Sequence, residues 1–278
     1  MERDRPREPR QNRAVVPRRP DDATLRRFAL TGPPDRGHVH FADGEVEHAQ
    51  RVLRLGAGDP LIGLDGVGGL WPLVVTRAEA RVFEVEVTGE PEREPAPGEP
   101  GAALPWIEVC VPLPRGERAE SMVERLVQLG AAAIRPLRTE RATPEARGEG
   151  SRRAERLVRT AREACKQSGR AWMPEIQPPE ALAQLAQRPA ATALMLDPRA
   201  SESALEVLAA SPLSGTAARP IRLWIGPEGG FSPAESACLD AAGARRLRLA
   251  PHVLRIETAA EAGLAVVVAA VLARAAPG

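Results

Sequence analysis

Gly226, Gly229 and Gly230 fall within five residues, between the apolar run Leu223-Trp224-Ile225 and the sequence Ser232-Pro233-Ala234-Glu235. No other stretch limits the fold of this chain so much. A short apolar run of this kind reads as a buried strand. Glycines let the backbone turn sharply and approach a ligand with no Cβ in the way. Ser232 can cap a helix, Pro233 suits its first position, and Glu235 completes a Ser-x-x-Glu capping box. Gly243 is the expected C-terminal stop. Strand, glycine loop and helix in that order is how open α/β sheets hold ligands. Neither G-x-G-x-x-G nor G-K-[ST] occurs, so the loop is not a dinucleotide fingerprint or a Walker loop. Alone, a glycine-rich βα loop is most often just a tight turn. Here a second unusual loop follows a short expected strand over 246–249 and opens the last helix. Two such loops at strand ends imply one shared pocket.

The periodicity upstream agrees with an α/β fold. Strands are expected over 106–111, 131–136, 191–196 and 222–225, and helices over 117–129, 152–167, 203–210 and 257–275. The alternation implies a parallel sheet with helices on both faces. The helix over 152–167 sets Ala154, Leu157, Val158, Ala161, Ala164 and Cys165 on one face and Arg152, Arg156, Arg159 and Arg162 on the other. The last helix is almost wholly Ala, Val and Leu in its second half, so it is expected to be buried on most sides, in its own domain or against a partner chain.

Residues 25–88 have a different texture. Short alternating stretches at 38–41 and 81–87 read as strands, Gly and Asp cluster over 63–69, and one helix is expected over 46–54. Residues 89–104 are dense in Pro, Glu and Gly and read as a linker. Residues 1–20 hold seven arginines and three acids, and 1–24 is read as a disordered basic extension. Four parts result: the extension over 1–24, a small mostly β unit over 25–88, a linker over 89–104 and an α/β domain over 105–278.

Composition excludes several classes. No run of 18 apolar residues exists, so no membrane span is expected, and no apolar segment near the N-terminus suggests a secretory signal. Cys110, Cys165 and Cys238 lie far apart with no metal-ligand spacing; they read as buried free thiols, which fits a reducing cytoplasm. No metal is expected.

Two motifs together make the chain similar to a known family. Ile225-Gly226-Pro227-Glu228-Gly229-Gly230-Phe231-Ser232, followed by Leu254-Arg255-Ile256-Glu257-Thr258-Ala259, resembles the RsmE-type 16S ribosomal RNA uridine N3-methyltransferases of the SPOUT class. Further stretches match: Thr139-Glu140-Arg141, the run Glu163-Ala164-Cys165-Lys166-Gln167-Ser168-Gly169-Arg170, and His48-x-x-x-Val52-Leu53-Arg54-Leu55-Gly56. Arg27-Phe28 matches the family's usual start. The resemblance implies a C-terminal trefoil-knotted α/β domain after a PUA-like β-barrel that helps hold RNA. It implies S-adenosyl-L-methionine as cofactor, 16S ribosomal RNA of the small ribosomal subunit as partner, and a homodimer.

Methyl transfer from a sulfonium is an in-line displacement in which the protein mostly orients two reactants, an effect worth roughly 7–11 kcal/mol in well-aligned systems. Loss of the uridine N3 proton is helped by positive groups near the developing anion. The expected cofactor pocket is therefore three strand ends and their loops: Leu196 and Asp197; Gly226, Pro227, Glu228, Gly229 and Gly230; and Leu249, Val253 and Leu254. Arg255 and Arg141 are the expected catalytic residues. Arg27, His48, Arg54, Arg170 and His252 are the expected RNA contacts, since arginine forks fit phosphate oxygens. The chain departs from the family at Ala250 (usually glycine), His252 (usually arginine) and Gln128 (usually acidic). Three other readings stay open: a non-catalytic RNA-binding protein on the same fold, a knotted-fold ribose methyltransferase, and a nucleotide hydrolase cradling phosphate on Gly226–Gly230. The missing G-K-[ST] weighs against the last.

Overall fold

The computed structural model describes residues 26–79, 82–142 and 151–275. The expected extension over 1–24 lies outside the described residues, as do Leu25 and Arg81.

The first sheet contains β1 (Arg26–Ala29), β2 (Pro60–Leu64), β3 (Gly69–Glu79), β4 (Val82–Val87) and β5 (Glu92–Arg93), in the order β1-β2-β3-β4 with β5 beside β3. β1 and β2 run parallel and the remaining pairs antiparallel. Phe28, Leu61, Leu73 and Val75 form its core with Ala49 and Leu55. The stretch at 38–41 is not a strand. His38 and Phe41 make only single bridges, to Asp35 and Leu30, because a turn with Arg36 at φ 46° and Gly37 at φ 82° folds the segment back on itself. The helix expected over 46–54 is also different. A single α turn, α1 (Glu45–Glu47), widens into a π turn over His48–Val52, where the Leu53 N–H reaches the His48 carbonyl at 3.0 Å. Arg54 then adopts φ 52°, a left-handed conformation that ends it.

The second sheet is parallel throughout: β6 (Ile107–Val111), β7 (Ala133–Arg138), β8 (Glu175–Ile176), β9 (Glu180–Ala181), β10 (Thr192–Leu196), β11 (Ile221–Trp224) and β12 (Arg245–Leu247). Its order is β12-β10-β11-β6-β7-β8, with β9 also on β7. The helices are α2 (Glu117–Gln128), α3 (Ser151–Ser168), α4 (Leu182–Ala186), α5 (Ala204–Ala209), α6 (Pro233–Ala241) and α7 (Ile256–Ala275). Alternate side chains of the strands face opposite layers. Val109, Leu194 and Leu223 meet Met122, Leu126, Leu157, Val207 and Leu264 on one side. Cys110, Met195 and Trp224 meet Leu185 and Leu239 on the other.

Glu108, 3% exposed, lies within this sheet between two arginines. It accepts from Arg135 at 2.8 Å and from Arg222 Nε at 2.9 Å. Arg222 Nη1 donates to the carbonyls of Leu185 and Arg188. Burial pushes Arg135 down, but Glu108 beside it holds the guanidinium above its usual value.

Residues 89–104 are not a free tether. Glu92 and Arg93 pair with Leu70 and Gly69, and Glu94 accepts the Trp172 indole N–H at 2.9 Å. The two sheets are further joined by Lys166, which donates at 2.6 Å to the buried Glu45, and by Met173, whose N–H meets the Gly66 carbonyl. The composition of this segment favours extended backbone, and that backbone is tied down by hydrogen bonds from both sides.

α7 buries one stripe: Ile256, Ala260, Gly263, Leu264, Val267 and Val271. By length and apolar composition alone it would suffice to cross a membrane. Its stripe instead packs on the sheet, and Arg125 pairs with Glu261 along its flank at 2.9 Å. The helix is therefore buried on one side within this chain, not on most sides. Gly263 permits the close approach: a Cβ there would stand 3.0 Å from Leu196 and 3.1 Å from Leu223 side-chain carbons.

Candidate functional site

The 226–230 loop begins where β11 ends. The Ile225 N–H donates to the Cys110 carbonyl at 2.9 Å, and the Gly230 N–H closes a turn onto the Pro227 carbonyl at 2.7 Å. Gly230 has φ 69°, a conformation that favours glycine. A Cβ on Gly226 would lie 3.2 Å from the Phe231 nitrogen. The capping box forms as the sequence predicts: Ser232 accepts from the Glu235 N–H, and Glu235 accepts from the Ser232 N–H at 2.8 Å. The second oxygen of Glu235 accepts the Glu140 N–H at 2.8 Å. The cap of α6 thus also fixes the segment after β7. From that segment Arg141 reaches the loop, donating to the carbonyls of Gly229 at 2.8 Å and Phe231 at 3.2 Å.

The neighbouring strand ends supply the other walls. Asp197, after β10, accepts the Arg199 N–H and the Arg246 guanidinium, both at 2.9 Å. Burial pushes the Asp197 carboxyl up, yet these two hydrogen bonds outweigh it and hold the group below the usual carboxylate range. The Asp197 N–H meets the Leu247 carbonyl at 3.0 Å, linking the loops after β10 and β12. Val253 is 75% exposed, an apolar side chain left uncovered beside the cavity.

These loops enclose a cavity of about 270 Å³. All ten residues expected around the cofactor line it: Leu196, Asp197, the whole 226–230 loop, Leu249, Val253 and Leu254. Arg141, His252 and Ala250 line it as well. The donor set suits a flat, partly apolar ligand with polar edges. Leu196, Leu249, Val253 and Leu254 offer apolar surface, and the glycine loop offers backbone with no side chain to block approach. S-adenosyl-L-methionine, with its adenine, ribose and sulfonium, fits this chemistry.

Other expected site residues fall elsewhere. Arg255 precedes α7, is exposed, and does not line the cavity. It does not pair with Glu257, whose carboxylate faces Arg118 at 3.6 Å. The Arg27 guanidinium packs over Gly169, and Arg170 donates to the Val127 carbonyl at 3.1 Å; both lie at the junction of the two sheets. His48 is exposed with its ring 6.5 Å from that of Phe28, and Arg54 is exposed just beyond it. The five expected RNA contacts therefore do not form one cluster. Sequence reasoning passed over three contacts beside the site: Glu235 to the segment after β7, Arg246 to Asp197, and Arg118 near Glu228. Glu235 was visible only as a cap, and the tie from its second oxygen to Glu140 spans 95 residues.

Residues 102–268 match the RNA methyltransferase domain family. A ribosomal RNA small subunit methyltransferase E from Mycobacterium bovis is 34% identical over 251 residues, 86% of this chain and 90% of the relative. Its counterpart from Synechocystis sp. is 29% identical over 231 residues, 82% of this chain and 71% of the relative. A methyltransferase from Legionella pneumophila, solved with the cofactor SAM bound, superimposes with a TM-score of 0.74 at 27% identity, covering 88% of this chain and 98% of that one. The glycine loop, the strand order that places it and these likenesses lead to one conclusion: the chain belongs to the ribosomal RNA small subunit methyltransferase E family, within the RNA methyltransferase domain family.

Proposed function

We propose that this protein methylates uridine N3 in 16S ribosomal RNA of the small ribosomal subunit, in the cytoplasm, with S-adenosyl-L-methionine as methyl donor. One observation carries the reading: a single cavity gathers the loops after β10, β11 and β12, and its walls suit that cofactor. When bound, the cofactor would supply a methyl on a sulfonium, with sulfur keeping the electron pair of the broken S–C bond as the methyl passes to N3 and the N3 proton is released.

The chain's own residues do the rest. Leu196, Leu249, Val253 and Leu254 provide apolar contact for the adenine, and the Gly226–Gly230 backbone provides polar groups at its edge. Asp197 has both oxygens engaged, so it shapes the pocket more than it receives ligand. Arg141 is a positioning residue that holds the glycine loop by its carbonyls. Arg255, exposed before α7, is assigned to the RNA side. His48, Arg54 and His252, all exposed, meet RNA, whereas Arg27 and Arg170 brace the junction of the sheets.

The fold reading is completed by the family resemblance. Residues 25–88 form a PUA-like barrel, 89–104 a connector, and 105–278 a knotted SPOUT domain. The strand order supports the knot: β11 and β12 flank β10, and α7 then returns to pack on α2, α5 and β6. The half-exposed Leu272 and the apolar surface of α7 outside its buried stripe support a homodimer.

The test uses small subunits lacking N3-methyluridine, methyl-labelled S-adenosylmethionine and mass spectrometry of the digested RNA. Labelled N3-methyluridine is expected. Label on a ribose would replace the N3 assignment, and cofactor binding with no transfer would favour a non-catalytic RNA-binding protein.

A further inference from the structure

Pro227, Glu228 and Arg141 line the cofactor cavity and also a second cavity, of about 360 Å³. Its further walls are Pro112, Leu113 and Ile256 on the apolar side, with Arg115 and Arg118 beside them. Arg118 stands in the first turn of α2, just beyond the carboxyl end of β6. Its Nη1 lies 3.6 Å from Glu257 Oε1 and 3.7 Å from Glu228 Oε1. Both distances exceed those of a direct N–H···O bond, and Arg118 makes no hydrogen bond among the described residues. Its fork, nearly half-exposed, stands between two carboxylates. Glu257 carries a second sign of an unfinished site: its Oε2 is fully buried with no partner among the described residues. A buried carboxylate oxygen left unpaired is costly and calls for an explanation.

We infer that this second cavity receives the pyrimidine base to be methylated, and that Arg118 positions it by donating to a ring carbonyl oxygen beside N3. The inference rests on the function proposed above. The cavity must lie next to the methyl donor, and it shares three walls with the cofactor cavity. Prolines and Ile256 suit the faces of a flat ring. A uracil ring offers a carbonyl acceptor beside N3, which an arginine N–H can reach while leaving N3 uncovered. Arg118 stands against Glu228 and Glu257, so its positive charge is already balanced. That suits a neutral ring that becomes negative during reaction better than it suits a phosphate. As the N3 proton leaves, charge spreads onto the carbonyl oxygens, and the Arg118 donors stabilise it where it develops. Glu228 and Glu257 keep the fork aimed.

Arg118→Gln and Arg118→Lys test this on small subunits, with S-adenosylhomocysteine binding followed by calorimetry. Cofactor-product affinity is expected to stay within about twofold, which also shows that the variants fold. For Arg118→Gln, kcat is expected to fall about a hundredfold near neutral pH, with partial rescue in Arg118→Lys. The deficit is expected to shrink as pH rises toward about 9.5, because the base then ionises with less help. An unchanged kcat, a deficit equal at every pH, or a loss confined to S-adenosylhomocysteine affinity would overturn the inference while leaving the enzyme's function intact. A wild-type protein that labels no uridine N3 would overturn the proposed function, and this inference with it.

Discussion

Arg141 and Gly229 are joined by a hydrogen bond of 2.8 Å, from the guanidinium Nη1 to the glycine carbonyl. The same nitrogen reaches the Phe231 carbonyl at 3.2 Å. A charge on β7's loop thus fixes the backbone of a loop 88 residues later. It leaves the loop's outer face, which has no side chain at Gly229 or Gly230, open to a ligand. The arginine shapes the site by holding its floor.

Arg141→Ala should therefore weaken the cofactor and leave the fold. Charged hydrogen bonds contribute about 1.5–3 kcal/mol, and this one is partly exposed, so a roughly tenfold rise in the dissociation constant of S-adenosylhomocysteine is expected. Arg141→Lys, with a shorter reach and no fork, should recover only part. Calorimetry decides: unchanged affinity in Arg141→Ala would mean that the loop keeps its shape unaided.

The glycines of the loop should not respond alike. A Cβ on Gly229 meets Arg141 side-chain carbons at 3.5 Å and 3.7 Å, an ordinary contact. Gly230 has open space around it but φ 69°, which costs a side-chain-bearing residue about 1–2 kcal/mol. Gly229→Ala should keep cofactor affinity within about threefold, and Gly230→Ala should lose about tenfold or lower the melting temperature. Equal behaviour of the two variants in binding and thermal melts would refute the backbone argument.

What the sequence disclosed follows from range. Ser232, Pro233 and Glu235 act within one turn, so their helix start is written in adjacent residues and forms as read. The alternation of strands and helices from Ile107 onward carries its own period and places all three loops of the cavity. Contacts between distant residues leave no such trace. Nothing near Glu235 announces Glu140, and nothing near Arg118 announces Glu257. β3 escaped because Gly69 and Pro72 interrupt the alternation, although pairing with β2, β4 and β5 holds it as an 11-residue strand. The helix over 46–54 was legible as a helix, but its π turn at His48–Val52 depends on where Ala49 and Leu55 must sit in the first core. Residues 89–104 read as a tether by composition; Glu94 and Trp172 show that a segment poor in apolar residues can still be tied down by hydrogen bonds.

Glu108 offers a test of the parallel sheet's interior. It holds Arg222, whose side chain is 3% exposed, and Arg135, whose side chain is 13% exposed. Glu108→Gln keeps the shape and removes the charge; Arg135 keeps Glu175 at 3.0 Å, and Arg222 is left as a buried cation with no carboxylate. Breaking a buried pair in this way costs about 3–5 kcal/mol. Urea denaturation should register that loss, and restoring neutrality with a second change, Arg222→Met, should recover part of it. A Glu108→Gln protein as stable as the wild type would mean that water reaches the triad.

Asp197 makes the acid response of the site predictable. Burial raises its carboxyl, the Arg199 N–H and Arg246 guanidinium lower it, and the net displacement is downward. A carboxyl whose folded value lies below its unfolded value, about 3.9 for aspartate, binds protons more readily when unfolded. Its contribution to stability is therefore fully present above that unfolded value, and it is lost as pH falls through the folded one. The stability gap between the wild type and Asp197→Asn should be constant from about pH 7 to about pH 5 and should narrow below about pH 4. Urea midpoints taken across that range measure it. A gap that persists to about pH 3 would show that Asp197 acts through its hydrogen-bonding shape, which asparagine imitates poorly, and not through the charge that Arg246 stabilises.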